Sequence, residues 1–143
     1  MKAYQVNDPD KLNTLLSESD AFDEYELTEL TLTKDVTCHV DGRKIGKAET
    51  TANGCDYIKF CDVRPLLSIV MKSSETDNRL KLSLFHRAAG GECITGGFIN
   101  IVPQEDSVMV TSAVSYRTFT LDRSLEEAWD RYVNNLLTAH DLI

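Results

Sequence analysis

The chain has 143 residues, enough for one domain with a core of its own, and its apolar and charged fractions are those of ordinary globular proteins. Fifteen Lys and Arg against 23 Asp and Glu give a net charge of −8, which opposes nonspecific attraction to nucleic-acid phosphates or anionic lipid. No apolar run approaches the roughly 18 to 20 residues that cross a bilayer, and Met1 to Val6 leads into Asn7 and Asp8 without an apolar secretory segment. The four cysteines (Cys38, Cys55, Cys61, Cys93) contain no C-x-x-C pair, so reduced thiols, a cytoplasmic protein and no metal or cofactor are expected.

Lys2–Val6 is a short strand, and Asn7-Asp8-Pro9 supplies a capping side chain and a first-turn proline for a helix from about Pro9 to Ser17, with Leu12, Leu15 and Leu16 on its buried stripe. Glu24 to Val40 reads as a hairpin. The apolar phase shifts between Tyr25/Leu27 and Leu30/Leu32, which places a bulge at about Thr28-Glu29. After a Thr33-Lys34-Asp35 turn, Val36, Cys38 and Val40 face inward and Thr37 and His39 outward. Residues 43 to 56 hold a small basic cluster (Arg43, Lys44, Lys47) and an Asn53-Gly54 turn signal, with room for an edge strand between them. Tyr57–Phe60 is again strand-like. Asp62 is the expected cap of a helix from Val63 to about Lys72, with Pro65 in its first turn and apolar residues nearly all round, which predicts the most buried helix.

Ser73 to Asn78 is a polar loop, after which Leu80, Leu82 and Leu84 alternate through Phe85. A glycine-rich loop from Gly90-Gly91 to Gly96-Gly97 leads into a hairpin of Phe98–Val102 and Val108–Ser112, then a further strand, Ser115–Leu121. From Ser124 the period becomes helical: Leu125, Ala128, Trp129, Tyr132, Val133, Leu136, Leu137 and His140 share one stripe, with Asp122 or Ser124 as cap and Ser124/Glu127 at capping-box spacing. Ala3–Leu16 and Tyr57–Val70 align without gaps at an offset of 54, pairing Asp8 with Asp62 and Leu12 with Leu66. The fold class expected is therefore α+β: a strand-helix-strands unit written twice (1–56 and 57–113) within a single domain. Its mostly antiparallel sheet carries helices on one face and is closed by a C-terminal strand and amphipathic helix (114–143).

No catalytic constellation assembles from these residues. Cys38 and His39 are neighbours on a strand and point to opposite faces, so they cannot easily share a metal. His86 stands at a strand end, and His140 near a helix C-terminus gains from the helix dipole without a further role. Cys55, Asp56, Cys61 and Asp62 flank one strand with no histidine paired to a thiol. The run Gly90–Gly97 lacks the Gly-Lys-Ser/Thr ending of a phosphate loop. Thr111, Ser112, Ser115, Tyr116, Arg117 and Thr118 concentrate hydroxyls and a cation on neighbouring strands, as the wet face of an antiparallel sheet also does.

Tyr116-Arg117-Thr118-Phe119-Thr120-Leu121-Asp122 with the Ser124-Leu125-Glu126-Glu127-Ala128-Trp129 helix start, Asp62-Val63-Arg64-Pro65-Leu66 and Val40-Asp41-Gly42-Arg43 resembles a family of small uncharacterised proteins, a domain of unknown function, from Gram-positive, largely anaerobic bacteria. The resemblance implies no activity. The order of elements is also similar, in topology only, to one domain of the DNA sliding clamps, but the first helix here carries Asp10 and Glu18, and the second offers little charge beyond Arg64 and Lys72.

The leading expectation is a non-catalytic cytoplasmic binding or protein-interaction module. Residues 1 to 30 hold eight acids against Lys2 and Lys11, −6 of the total −8, and the candidate partner-binding residues are Asp20, Asp23, Glu24, Glu26 and Glu29. The alternative is a small-molecule-binding protein or enzyme with a pocket near Asp62, Arg64, Tyr116 and Arg117. A clamp-like DNA accessory protein is the third reading, which the charge opposes.

Overall fold

The computed structural model describes residues 1–34, 36–45, 56–72 and 79–143. Its elements in chain order are β1 (Lys2–Val6), α1 (Pro9–Glu18), β2 (Glu26–Thr33), β3 (Thr37–Asp41), β4 (Ile58–Lys59), α2 (Phe60–Lys72), β5 (Arg79–His86), β6 (Ile94–Pro103), β7 (Val108–Tyr116) and α3 (Ser124–Ala139). The seven described strands form one sheet in the order β1-β7-β6-β5-β2-β3, with β4 beside the first residues of β2, and every pairing is antiparallel. The α+β class follows directly.

Register turns the alternation of each strand into one buried face. Val40, Leu30, Leu82, Ile101, Val110 and Tyr4 stand opposite one another in a row that crosses six strands. Leu27–Leu84–Ile99 and Leu32–Leu80 form parallel rows on the same face. The β2 register shifts between Leu27 and Glu29, at the bulge the sequence places there, and this shift keeps Leu27 and Leu30 on one face despite their odd spacing. All three helices pack on that face: Leu12 and Leu16 of α1, Val63, Leu67 and Met71 of α2, and Trp129, Val133 and Leu137 of α3 join the strand residues in a single core. Each such side chain contributes about 1.5–3 kcal/mol on burial. The opposite face is polar along part of its length, with Ser83 donating to Asn100 at 2.7 Å and Thr31 hydrogen-bonded to His39 Nδ1 at 2.9 Å, and carries an aromatic group where Phe85 meets Phe98 and Tyr57, with ring centroids at 4.9 and 6.1 Å.

Local signals explain the helix starts. The Asp8 carboxylate accepts from Lys11 N at 3.2 Å and Pro9 opens α1, as the sequence predicts. α2 differs. Phe60 N donates to Tyr25 O at 2.9 Å and its ring is fully buried, so the chain leaves β4 after two residues and turns helical at Phe60. Asp62 therefore lies inside the first turn instead of capping it, and Pro65 falls in the second turn, where it removes a backbone bond. At the offset of 54, Phe60 opens α2 where Val6 closes β1. Nor is α2 buried all round: Phe60, Val63, Leu67 and Met71 face the core, whereas Leu66 and Ile69 lie on the open side, Ile69 being 69% exposed. Val36 precedes β3 and is exposed, so only Cys38 and Val40 of that expected inward trio lean on the core.

Two further expectations are corrected in the last third. Gly96 and Gly97 are strand residues of β6, because Phe85 and Trp129 occupy the space that side chains there would need. The expected strands Val108–Ser112 and Ser115–Leu121 are joined as β7 through Tyr116, beyond which the chain leaves the sheet. Asp35, Lys47, Asn53-Gly54, Cys55 and the 73–78 loop lie outside the described residues, whereas Arg43 of the basic cluster is paired with Asp41 at 2.9 Å.

Candidate interaction surface

The connection between β7 and α3 begins where Ile94 pairs with Tyr116, the last residue of the strand. Arg117 N and Thr118 N both donate to Cys93 O, at 2.7 and 3.4 Å, which anchors the connection to the turn preceding β6. Asp122 N donates to Thr120 Oγ1 at 3.1 Å, and the Asp122 carboxylate accepts from Ser124 N at 2.9 Å at the start of α3. Tyr116 donates to Glu126 at 2.9 Å while Arg123 donates to the Tyr116 hydroxyl at 2.8 Å and lies over its ring, 5.5 Å from the centroid. The segment is thus held at both ends. Between those ends Phe119 is 88% exposed and Leu121 85% exposed, two residues apart, with Leu125 and Tyr116 partly exposed beside them. Folded chains rarely leave two large apolar side chains together in water. The sequence shows Thr118 to Leu121 as alternating, and alternation is read as a half-buried strand; with no partner strand for this stretch among the described residues, the apolar members face solvent.

The residues that the sequence analysis grouped as a pocket are separated. Asp62 and Arg64 lie on α2 directly after β4, and Arg64 grips Asp23 through two bonds of 2.8 and 2.9 Å. Tyr116 and Arg117 lie at the end of β7, which β6, β5 and β2 separate from β4. At one strand spacing per step, four steps amount to about 19 Å.

The acidic segment is divided in another way. Asp23 is committed to Arg64, and Glu26 forms a bidentate pair with Arg87 at 2.9 Å for both bonds, with Arg87 lying 5.1 Å over the Phe85 ring. Asp20, Glu24 and Glu29 face solvent. Two of the five candidate carboxylates therefore hold the fold together, and three remain as a surface charge.

Other side-chain groupings are structural in form. His86 lies between rings: Trp129 and Tyr132 stack on it with centroids at 5.6 Å, and Tyr25 meets it edge-on at 4.9 Å. Burial pushes the His86 imidazole below its ordinary pKa, opposed by Glu24, and keeps it neutral at pH 7. Burial, then the 2.8 Å hydrogen bond to Tyr132, pushes the Tyr25 hydroxyl up. Ser112 donates to the buried Asp130 carboxylate, and Tyr4 donates to Asp130 O at 3.1 Å, so α3 is tied to β7 and β1 through polar contacts that hydropathy does not reveal. Among the described residues, no three His, Cys, Asp or Glu side chains gather into a metal-ligand set, and no helix is long and apolar enough to cross a membrane.

A groove of about 590 Å³ opens at the far end of the sheet, lined by Asp10 and Asn13 of α1, Lys34 after β2, Arg79 at the start of β5, and Gln104 and Ser107 of the β6–β7 turn. Lys34 is engaged there in capping α2, donating to Val70 O at 3.1 Å and Met71 O at 2.6 Å. None of the nine site residues expected from the sequence lines this groove.

No curated protein and no solved structure matches the chain. Residues 85–143, from Phe85 on β5 through β6, β7 and the Phe119–Leu121 connection to the end of α3 and the residues beyond it, match the model of a family of unknown function (DUF5721).

Proposed function

We propose that the protein is a non-catalytic protein-interaction module of the cytoplasm and that the Tyr116–Leu125 connection is its contact with a partner. What supports this reading is the outward placement of Phe119 and Leu121 on a segment whose backbone is hydrogen-bonded at both ends. Each anchor gains about 1.5–3 kcal/mol when it leaves water, and little conformational entropy remains to be lost because the segment is already ordered. The free thiols Cys38, Cys61 and Cys93 fit a reducing compartment. The acidic segment, reduced to Asp20, Glu24 and Glu29, is a second and purely electrostatic contact for a basic partner. A clamp-like role on DNA is disfavoured, since the exposed side of α1 carries Asp10 and Glu18 and that of α2 carries Leu66 and Ile69.

The experiment is a photo-crosslinking amino acid placed at position 119, with position 105 in the β6–β7 turn as control, in cells that naturally make the protein. A discrete adduct from 119 that is missing from 105 is expected. No adduct from 119, or the same adducts from both positions, overturns the proposal.

A small-molecule role has one observation in its favour, the groove beside Arg79. It requires a thermal shift with some metabolite that Arg79→Ala abolishes, and a screen without any shift counts against it.

A further inference from the structure

Away from the β7–α3 connection, we propose a further contact surface, the free edge of β3, and assign its occupant: β3 of a second copy of this chain, paired antiparallel across a two-fold axis. β3 ends the strand order, and among the described residues it has a neighbouring strand only on its β2 side. The bonds at its two ends fix which backbone groups are left over. Val36 O accepts from Lys34 N at 3.0 Å and Gly42 N donates to Thr28 O at 2.9 Å, so the even-numbered residues turn their N–H and C=O toward β2. Directions alternate along a strand, and Thr37, His39 and Asp41 therefore turn theirs outward. Such a row of edge groups is a template for another strand.

Symmetry, area and charge point to a second copy as what fills the edge. With His39 on the two-fold axis it faces its own counterpart, Thr37 of each copy faces Asp41 of the other, and every outward N–H and C=O of the strand meets a partner. An axis perpendicular to the sheet continues it in its one antiparallel sense and sets both α2 helices on the same face.

That arrangement covers apolar residues which the single chain leaves in water. Leu66 lies beside Cys38 and Val40 of β3 along an apolar crevice, which places the open side of α2 at this edge, and Ile69 and Val36 are exposed with it. Val36, Leu66 and Ile69 each offer on the order of 100 Å². The half-buried Cys38 and Val40 and the edge backbone add a similar sum, so two copies together bury about 1,200 Å², where specific interfaces begin. An unlike strand would use the same hydrogen bonds but leave Leu66 and Ile69 uncovered; a second copy brings its own α2 alongside. The net charge of −8 opposes association in general, but little of it lies here. Asp41, the one carboxylate of β3, is paired on its own chain with Arg43 at 2.9 Å, and it faces Thr37 of the other copy instead of a like charge.

The test is light scattering of the purified full chain across a concentration range, and a dimer in reversible exchange with monomer is expected. His39→Pro removes an N–H that serves only the second copy, and proline is tolerated where a strand's N–H faces away from its sheet. Ile69→Asp places a charge on a side chain that the single chain leaves in water, so it carries the test even where the proline costs stability. Each should weaken the dimer by about tenfold or more, with circular dichroism confirming that both variants are folded. Amide exchange followed by NMR locates the contact. The N–H groups of Thr37, His39 and Asp41 should exchange slowly in concentrated solution and quickly on dilution, while those of Cys38 and Val40, turned toward β2, stay protected in both.

A monomer at every concentration overturns the inference. So does a dimer that Ile69→Asp leaves intact, or one in which exchange at Thr37, His39 and Asp41 is independent of concentration. A dimer that only Phe119→Asp dissolves also overturns it, and would assign the β7–α3 connection to the second copy instead. The adduct expected from position 119 does not depend on the β3 edge, so the two surfaces stand or fall separately.

Discussion

Trp129 lies directly on the bare backbone of Gly97: a Cβ at position 97 would stand 2.2 Å from Cε2 and 2.4 Å from Cδ2 of the indole. The indole Nε1 donates to Phe98 O at 3.1 Å, so the ring is fixed on the strand it covers and cannot slide away freely. Gly97 thereby sets how closely α3 approaches β6. Gly97→Ala should destabilise the fold by about 2–3 kcal/mol, the upper part of the range for overpacking a dense core. Trp129→Phe in the same chain should recover part of that loss by vacating the crowded space. Urea unfolding of the single and double variants measures both, and an unperturbed Gly97→Ala variant would mean that the indole does not rest on Gly97.

The histidine in the ring stack makes stability depend on pH. Burial holds the folded-state pKa of His86 below its unfolded value of about 6.5, so folding favours the neutral imidazole. Above that value both states are neutral and the full stability is present. As pH falls through about 6.5 the unfolded chain binds the proton first and stability declines, levelling off once the folded protein is protonated as well. His86→Phe keeps a flat ring against Trp129 and Tyr132 and removes the proton. Subtracting its unfolding free energies from those of the wild type, at steps from pH 7.5 down to 5, cancels the groups common to both. The difference should fall toward acid pH; a constant difference would show that His86 titrates as it does in the unfolded chain.

The acids of residues 20 to 29 should divide into two kinds. Asp23→Asn breaks the two-bond grip on Arg64, which fixes α2 to the turn before β2, and should cost about 1 kcal/mol because the pair is only partly shielded from solvent. In a domain of this size that lowers Tm by roughly 3 °C. Glu24→Gln should leave Tm within about 1 °C. Thermal unfolding of the two variants decides between them, and equal shifts would show that the Arg64 pair holds nothing in place. Any test of partner binding through this face is cleaner on Asp20, Glu24 and Glu29 than on Asp23 or Glu26.

Where hydropathy and pairing agree, the sequence is a sufficient guide. The β2 bulge is legible because Leu27 and Leu30 break a period that only an extra residue repairs. The α1 cap is legible because Asp8-Pro9 has a local cause. What escapes the sequence is long-range. Phe60 turns helical because Tyr25 O and the core claim it, 35 residues away from that carbonyl. Gly96 and Gly97 look like a loop until the rings of Phe85 and Trp129 are seen to need their space. Asp130 sits within a stripe defined by its apolar neighbours, and Ser112 on another element together with the Met1 ammonium at 3.5 Å explains a carboxylate there. The candidate surface is the hardest to read, since alternation like that of Phe119 and Leu121 is a sign of burial in β2, β5, β6 and β7.

That contrast leads to a comparison between two apolar residues of the same C-terminal region. Leu137 on α3 is buried against the sheet, and Leu137→Ala should cost about 2–5 kcal/mol, the transfer term plus that of the cavity left behind. Phe119 is larger, yet Phe119→Asp should change stability by no more than about 0.5 kcal/mol, because its ring is already in water in the folded state. The same variant should be more soluble, having lost an apolar anchor from the surface. Urea unfolding of the isolated protein measures the pair. If Phe119→Asp proves as costly as Leu137→Ala, the ring is covered in solution by something in the sample, and in a pure preparation that can only be this chain itself.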